Sequence, residues 1–271
     1  MMFDLHIHSK NSHDSRQTLD EICKTAMTKG ISGIAVCDHA DTWFFDKDHT
    51  YEMIDRCMQE IDMARTKYGE RLEILKGVEM AEYLDEPEKA EKLLKAHDFD
   101  VILGSVHSIL YEDITDAYSR IDFSEMPSEK LYGFLKEYFR KMAEMIEKTD
   151  FDILTHLTCP LRYINGKYKR NADILRFKKE INEIFSMIIQ KEIALEINTS
   201  GIGAAYGDSM PHETLLRMYA EMGGRLITLG SDAHMPQHIG NGFAETQELL
   251  HKIGFHEFCV FRQRKLTLYQ F

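Results

Sequence analysis

The sequence predicts an α/β fold, a distorted seven-stranded (β/α)7 barrel of the TIM type, formed as one domain over residues 1–271. Three observations point there. Apolar runs and helix-patterned stretches alternate seven times, which implies parallel strand pairing. Several of the apolar runs lack a polar face, as strands covered on both sides require. An open doubly wound sheet would satisfy both of these. The third observation favours the barrel: histidines and carboxylates recur where the runs end, on the rim where β/α barrels carry their chemistry.

The first strand covers about residues 2–8, where Phe3, Leu5 and Ile7 alternate with Asp4, His6 and His8. That period of two places the apolar residues on one face and both imidazoles on the other. A helix near 18–29 ends at Gly30, and the run Gly33 to Cys37 forms the second strand. A long helix near 50–68 ends at Gly69, then a strand near 72–80 and a helix near 86–96 follow. The fourth strand is Val101 to Val106; a long loop separates it from a helix near 128–149. The fifth runs from Phe151 to Thr155, before a loop and a helix near 173–190. The sixth is Ile193 to Ile197, followed by a helix near 211–222 opened by Pro211. The seventh is Arg225 to Leu229, with a helix near 242–253, and a strand-like tail occupies 257 to 269.

Composition narrows the classes of function. A formal net charge of -12 argues against a nucleic-acid partner, because binding to a phosphate backbone is usually carried by a basic surface. No apolar run is long enough for a bilayer, and the start of the chain does not read as a signal peptide. Five widely spaced cysteines form neither a disulfide framework nor a Cys-x-x-Cys pair, which suits a reducing cytoplasm.

The strand ends carry the chemistry. His6 and His8 close the first strand, Asp38 and His39 the second, and Glu79 the third. His107 follows the fourth, His156 the fifth, Glu196 to Asn198 end the sixth, and Asp232 and His234 follow the seventh. Six of the thirteen histidines lie at these ends, whereas His97, His212 and His251 fall at helical positions and read as surface or packing residues. One such coincidence means little. Together, a rim of imidazoles and carboxylates would be costly to desolvate without a cation. Imidazoles mixed with a few carboxylates suit zinc, iron(II) or manganese better than calcium or magnesium. The candidates are too many for one tetrahedral ion, and a carboxylate such as Glu79 can bridge two, so two or three divalent transition-metal ions are expected.

In order and spacing, the segments Asp4-Leu5-His6-Ile7-His8-Ser9, Cys37-Asp38-His39, Gly77-Val78-Glu79, Gly104-Ser105-Val106-His107, Leu154-Thr155-His156 and Leu229-Gly230-Ser231-Asp232-Ala233-His234 resemble the PHP (polymerase and histidinol phosphatase) superfamily. Within it, the chain is similar to the monofunctional histidinol-phosphate phosphatases. The resemblance spans nearly the whole chain and implies a trinuclear site. His6, His8, Glu79 and Asp232 would hold one metal, and Glu79 would bridge to a second, bound also by His107 and His156. Asp14, His39 and His234 would hold the third. Related sequences place His or Asp eight residues after the first histidine, which selects Asp14 over its neighbour His13. Glu79, Asp232 and His234 are the implied catalytic residues. Family phosphatases tend to carry an arginine just after Asn-Thr-Ser-Gly, but here Ile202 and Gly203 follow Gly201. Arg162, six residues after His156, is the alternative phosphate contact, since its planar fork can donate two bonds at once. Asn198 is a second candidate substrate contact.

The resemblance implies hydrolysis of L-histidinol phosphate, a small phosphorylated substrate, by a hydroxide shared between cations. Metals would make the pocket attractive to a phosphate dianion despite the acidic chain. Other readings are the same chemistry on another small ester or on a phosphotyrosine protein, a nuclease, an amide or ester hydrolase, and an inert metal-binding scaffold. A nuclease should show a basic face. A scaffold should lack a ligand, yet every expected position is filled.

Overall fold

The computed structural model describes residues 1–271. Its strands are β1 (Phe3–Ile7), β2 (Gly33–Val36), β3 (His39–Asp41), β4 (Glu73–Ala81), β5 (Val101–Ser105), β6 (Ile153–Leu154), β7 (Ala194–Asn198), β8 (Ile227–Gly230), β9 (Glu257–Arg262) and β10 (Lys265–Gln270). The helices are α1 (Leu19–Thr28), α2 (Thr50–Tyr68), α3 (Pro87–Ala96), α4 (Ser128–Lys148), α5 (Lys178–Gln190), α6 (Glu213–Glu221) and α7 (Phe243–Ile253). β1 to β8 form a parallel sheet in the order β1-β2-β4-β5-β6-β7-β8, with β3 beside β4. β2 and β3 pair with successive halves of β4, so they are one barrel strand interrupted at Cys37 and Asp38. The seven-stranded barrel expected from the sequence is therefore present.

Two apolar layers hold it. A cluster of 65 buried residues fills the space between the sheet and the helices. A smaller cluster of 13 includes Phe3, Leu5, Leu75, Val101 and Leu103 and reaches across the barrel interior to β9. β1 does not keep the strict alternation its sequence suggests. Asp4 pairs with Ile34 and Ile7 with Val36, so β1 carries one extra residue, a bulge. Phe3 and Leu5 consequently belong to the smaller cluster, whereas Ile7 packs in the helix layer.

Three other boundaries differ from expectation. The fifth strand shrinks to Ile153–Leu154; beside it the Asp152 carboxylate accepts the Ile102 N–H at 2.8 Å, and the Asp152 N–H donates to Ile102 O at 2.8 Å. The helix expected from 173 begins as a 3₁₀ turn, Ile174–Phe177, before α5. The tail is two antiparallel strands joined at Gln263 and Arg264, both with positive φ, 49° and 61°. That hairpin plugs the end of the barrel away from the rim. The Arg262 fork grips Glu73 at 2.5 and 2.7 Å, and Arg264 pairs with Asp150 and Asp152.

Phe258 is 2% exposed and its ring lies 6.1 Å from that of Phe3. Phe258→Ala should cost about 3–5 kcal/mol of stability, read by urea unfolding of the metal-free protein, while metal content of the folded protein stays unchanged.

Candidate metal centre

Glu79 stands at the centre of the rim, fully buried near the end of β4. Its Oε1 lies 3.1 Å from His107 Nε2 and 2.8 Å from His156 Nε2. Its Oε2 lies 3.5 Å from His6 Nε2, 3.6 Å from His8 Nε2 and 2.8 Å from His39 Nδ1. One carboxylate thus faces two separate sets of imidazoles, one with each oxygen. Asp232 Oδ1 sits 3.3 Å from His8 Nε2 and 3.6 Å from His234 Nδ1. Asp14 Oδ2 sits 3.1 Å from His234 Nε2 and 3.5 Å from His39 Nε2. Three triads, His6–His8–Asp232, His8–His39–His234 and His39–Glu79–His107, each place their ligand atoms within 4.8 Å of one another. All nine residues expected to ligate converge here.

The donor set fits cations. Glu196 Oε1 lies 2.6 Å from His6 Nδ1 and accepts its proton, so in the neutral ring Nε2 carries a free lone pair. Ser12 donates to Asp38 Oδ1, so it accepts from His8 Nδ1 at 3.2 Å, and His8 Nε2 is bare as well. These two nitrogens meet at 3.0 Å. Two neutral rings would set lone pair against lone pair; a proton or a cation between them removes the conflict. Glu79 Oε2 and His39 Nδ1 are both buried without a hydrogen-bond partner, despite their proximity. A buried polar atom left in this state calls for a ligand.

The electrostatics agree. Burial opposes ionisation of Glu79 and Asp232, yet the surrounding imidazoles hold both carboxyl groups well below the usual range. Burial opposes charge on His6, His39 and His107 too, but neighbouring carboxylates raise all three. His8 is the exception: burial and the charges of His39 and His234 push it down to about 3. The cluster is built for positive charge at its centre, supplied by protons or by metals.

His13 and Asp14 are both exposed and both line the cleft; the Asp14 carboxylate faces His39 and His234, whereas His13 Nδ1 faces Asp48 at 3.8 Å. Arg162 opens a π-helical turn, Arg162–Lys167, where the sequence suggested a loop. Its guanidinium donates to Ser200 Oγ at 2.7 Å, to Asp232 Oδ2 at 3.3 Å and to Tyr163 OH at 3.1 Å, and it lines a cleft of about 330 Å³ over the ligands. Asn198 is a correction. It is fully buried and does not line the cleft; its amide donates to Glu196 and accepts from Ser200. It acts on the cleft through Ser200. Arg170, just beyond the π-helical turn, clamps the carbonyls of Phe123, Ser124 and Met126.

Three supporting residues, Asp41, Glu82 and Arg120, escaped the sequence reading, and Glu196 figures there only as a strand-end carboxylate without its partners. Glu196 braces His6 and accepts the His156 N–H at 2.7 Å. Asp41 faces His107 Nδ1 at 3.2 Å. Glu82 accepts the N–H groups of His107 and Ser108. Arg120 lines the mouth and stacks over Phe44, 5.0 Å from its ring centroid. Glu196 carried a signal: a carboxylate inside an apolar strand must find a buried partner.

The fold and site define a β/α barrel with a multinuclear metal centre. A PHP domain profile matches residues 4–200, more than half of the chain, and the chain belongs to that family. It is 28% identical over 267 residues to a Thermotoga maritima protein named "Probable histidinol-phosphatase", covering 98% of this chain and 99% of that one. It is 26% identical to the "Histidinol-phosphatase" of Lactococcus lactis subsp. lactis, over 97% of this chain and 95% of that one. Among solved structures, histidinol phosphate phosphatase from Lactococcus lactis, complexed with zinc, L-histidinol and phosphate, superposes with a TM-score of 0.78 at 22% identity, covering 98% of each chain. A Listeria monocytogenes structure described as a histidinol phosphatase superposes at 0.75 with 15% identity, over 90% of this chain and 99% of that one. At those identities the superpositions establish the fold.

Asp14→Ala should lower the metal count per chain, whereas His13→Ala should leave it unchanged; elemental analysis of protein made in metal-replete medium decides. Glu79→Gln should reduce both metal occupancy and turnover by orders of magnitude while circular dichroism stays native. Full occupancy in that variant would rule out a bridging role.

Proposed function

We propose that the protein is a metal-dependent phosphomonoesterase that hydrolyses L-histidinol phosphate to L-histidinol and phosphate, using two or three zinc, iron or manganese ions. The observation that carries this is Glu79, whose two oxygens face two imidazole sets inside a cleft that also presents an arginine. The ligands would be His6, His8, Asp14, His39, Glu79, His107, His156, Asp232 and His234. The names of the relatives supply the substrate. When bound, divalent cations supply an acidified water and offset charge on the phosphoryl group.

The chain's own residues do the rest. Glu196, Ser12 and Asp41 hold the imidazoles of His6, His8 and His107 in orientation. Arg162 is held by Ser200, Asp232 and Tyr163 with its guanidinium toward the cleft, in place to donate to a phosphoryl oxygen. Tyr118 and Tyr163, with ring centroids 5.7 Å apart, form an aromatic wall against which the alcohol portion would lie. A cleft of about 330 Å³ suits a small ester. The acidic chain disfavours nucleic acid. No helix is long and apolar enough to cross a membrane, and the five cysteines are free and buried. We read the protein as a single domain working in the cytoplasm.

Turnover of a panel of phosphate esters tests the substrate: histidinol phosphate should exceed generic aryl and alkyl esters in kcat/KM, and equal values would remove the narrow claim. Arg162→Ala should raise KM with a small effect on metal content. A hydrogen bond to a charged group contributes roughly 1.5–3 kcal/mol, so kcat/KM should fall by about one to two powers of ten. An unchanged value would mean the metals alone hold the phosphate.

A further inference from the structure

We propose that Gln17 is a positioning residue that locks the two edges of the barrel together at the rim. It thereby sets cation affinity at His6, His8, Asp14, Asp232 and His234 without acting on His107 and His156. The inference rests on the reading of the rim as a metal centre.

The sheet runs from β1 to β8 without a ladder between its ends. Two main-chain hydrogen bonds cross the seam, both at the rim, where His8 N–H donates to Ala233 O at 3.1 Å and Asp232 N–H donates to His6 O at 2.8 Å; the Asp4 carboxylate adds bonds from Ser231 N and Oγ. The ligands on either side of this seam share a triad, His6–His8–Asp232, so its width controls their geometry.

Gln17 is 2% exposed and sits over this seam. Its Nε2 donates to His8 O at 2.7 Å and to Ala233 O at 2.6 Å. Carbonyls only accept, so the nitrogen must face them, and each of its two hydrogens is committed to one side of the seam. Ser15 lies against His8 O and His234 O, at 3.1 Å each, but its hydroxyl has one hydrogen and serves one of them at a time. The main chain of Gln17 adds a third link: its carbonyl accepts Lys10 N–H at 2.7 Å and closes the loop that carries Asp14. His107 and His156 stand outside this arrangement. Their backbone N–H groups are held by Glu82 and Glu196.

Gln17→Leu removes both donors, and Gln17→Glu keeps the shape while setting a carboxylate against two carbonyls. Zinc is the probe, with bound metal counted by elemental analysis and affinities measured by competition against a chelator. Loss of a group that orients ligands typically weakens metal binding roughly 10–100-fold. Both variants should show that loss for the cations on the seam side and retain zinc held by His107 and His156. Adding His107→Ala to Gln17→Leu should then remove the retained zinc. Phe258→Ala, which destabilises the protein from the other end of the barrel, controls for general loss of stability and should bind zinc as the wild type does. Affinities within twofold of wild type in both Gln17 variants would overturn the proposal, as would equal weakening at every site. Wild-type protein that takes up no zinc would instead overturn the metal reading, and this inference with it.

Discussion

Burial of the Glu79 carboxylate is the constraint on which the rest of the rim depends. An ionised carboxylate with no exposed surface is strongly disfavoured unless positive charge or donors surround it. The surrounding groups come from four places in the sequence: His6 near the end of β1 with His8 just after it, His39 from β3, His107 after β5 and His156 after β6. Parallel register delivers them. His39 pairs directly with Glu79 across β3 and β4, and Glu79 pairs with Leu103 on β5. A one-residue slip of either pair would turn the carboxylate out of the site.

A second tier of carboxylates keeps those donors in place. Asp4 accepts from Ser231 N and Oγ and from Gly240 N, and so fixes the turn into Asp232. Asp38 accepts from Ser9 N, Ser9 Oγ and Ser12 Oγ, and so fixes the turn after His8. Glu82 and Glu196 do the same for His107 and His156. Each joins neighbouring strand ends through backbone N–H groups. The burial penalty is visible in Asp4, where desolvation outweighs these bonds and raises the carboxyl group to about 6. The rim also holds backbone that L-residues seldom adopt, with φ of 24° at His156 and 51° at Asp232. The rim thus combines strained backbone with buried charge. At the other end the hairpin supplies apolar packing and ion pairs.

How much of this the sequence discloses depends on the range of the interaction involved. Strand count and order follow from local pattern, and they follow correctly. The convergence of His6, His39, His107, His156 and Asp232 follows from the parallel topology, since every strand must end on the same rim. What local pattern cannot disclose is a partner. Glu196 and His6 are separated by 190 positions, and nothing near either one announces the 2.6 Å contact. The bulge in β1 is hidden for the same reason, because register is a property of the pair β1 and β2. Asn198 shows the limit in the other direction. Placement at a strand end is necessary for reaching the cleft but not sufficient, since its amide is consumed by Glu196 and Ser200.

Arg162 reaches, from another loop, the stretch where the resemblance led to an expected arginine. Ile202 occupies the stretch after Asn198-Thr199-Ser200-Gly201 where the resemblance led to an expected arginine. There, its side chain packs against Gly242 and its carbonyl accepts from Asn241, so it serves the join between the β7 and β8 loops. The guanidinium comes instead from the fifth strand end, on a π-helical turn, and reaches the same loop at Ser200, 2.7 Å away. It arrives within 3.3 Å of Asp232 Oδ2, whose other oxygen faces the imidazoles. A π-helical turn holds more residues per turn than an α-helix, with i→i+5 bonds such as that from Tyr168 N–H to Tyr163 O, and is a rare element found frequently at functional sites. Here its position links Ser200 to the imidazole cluster through the Asp232 carboxylate.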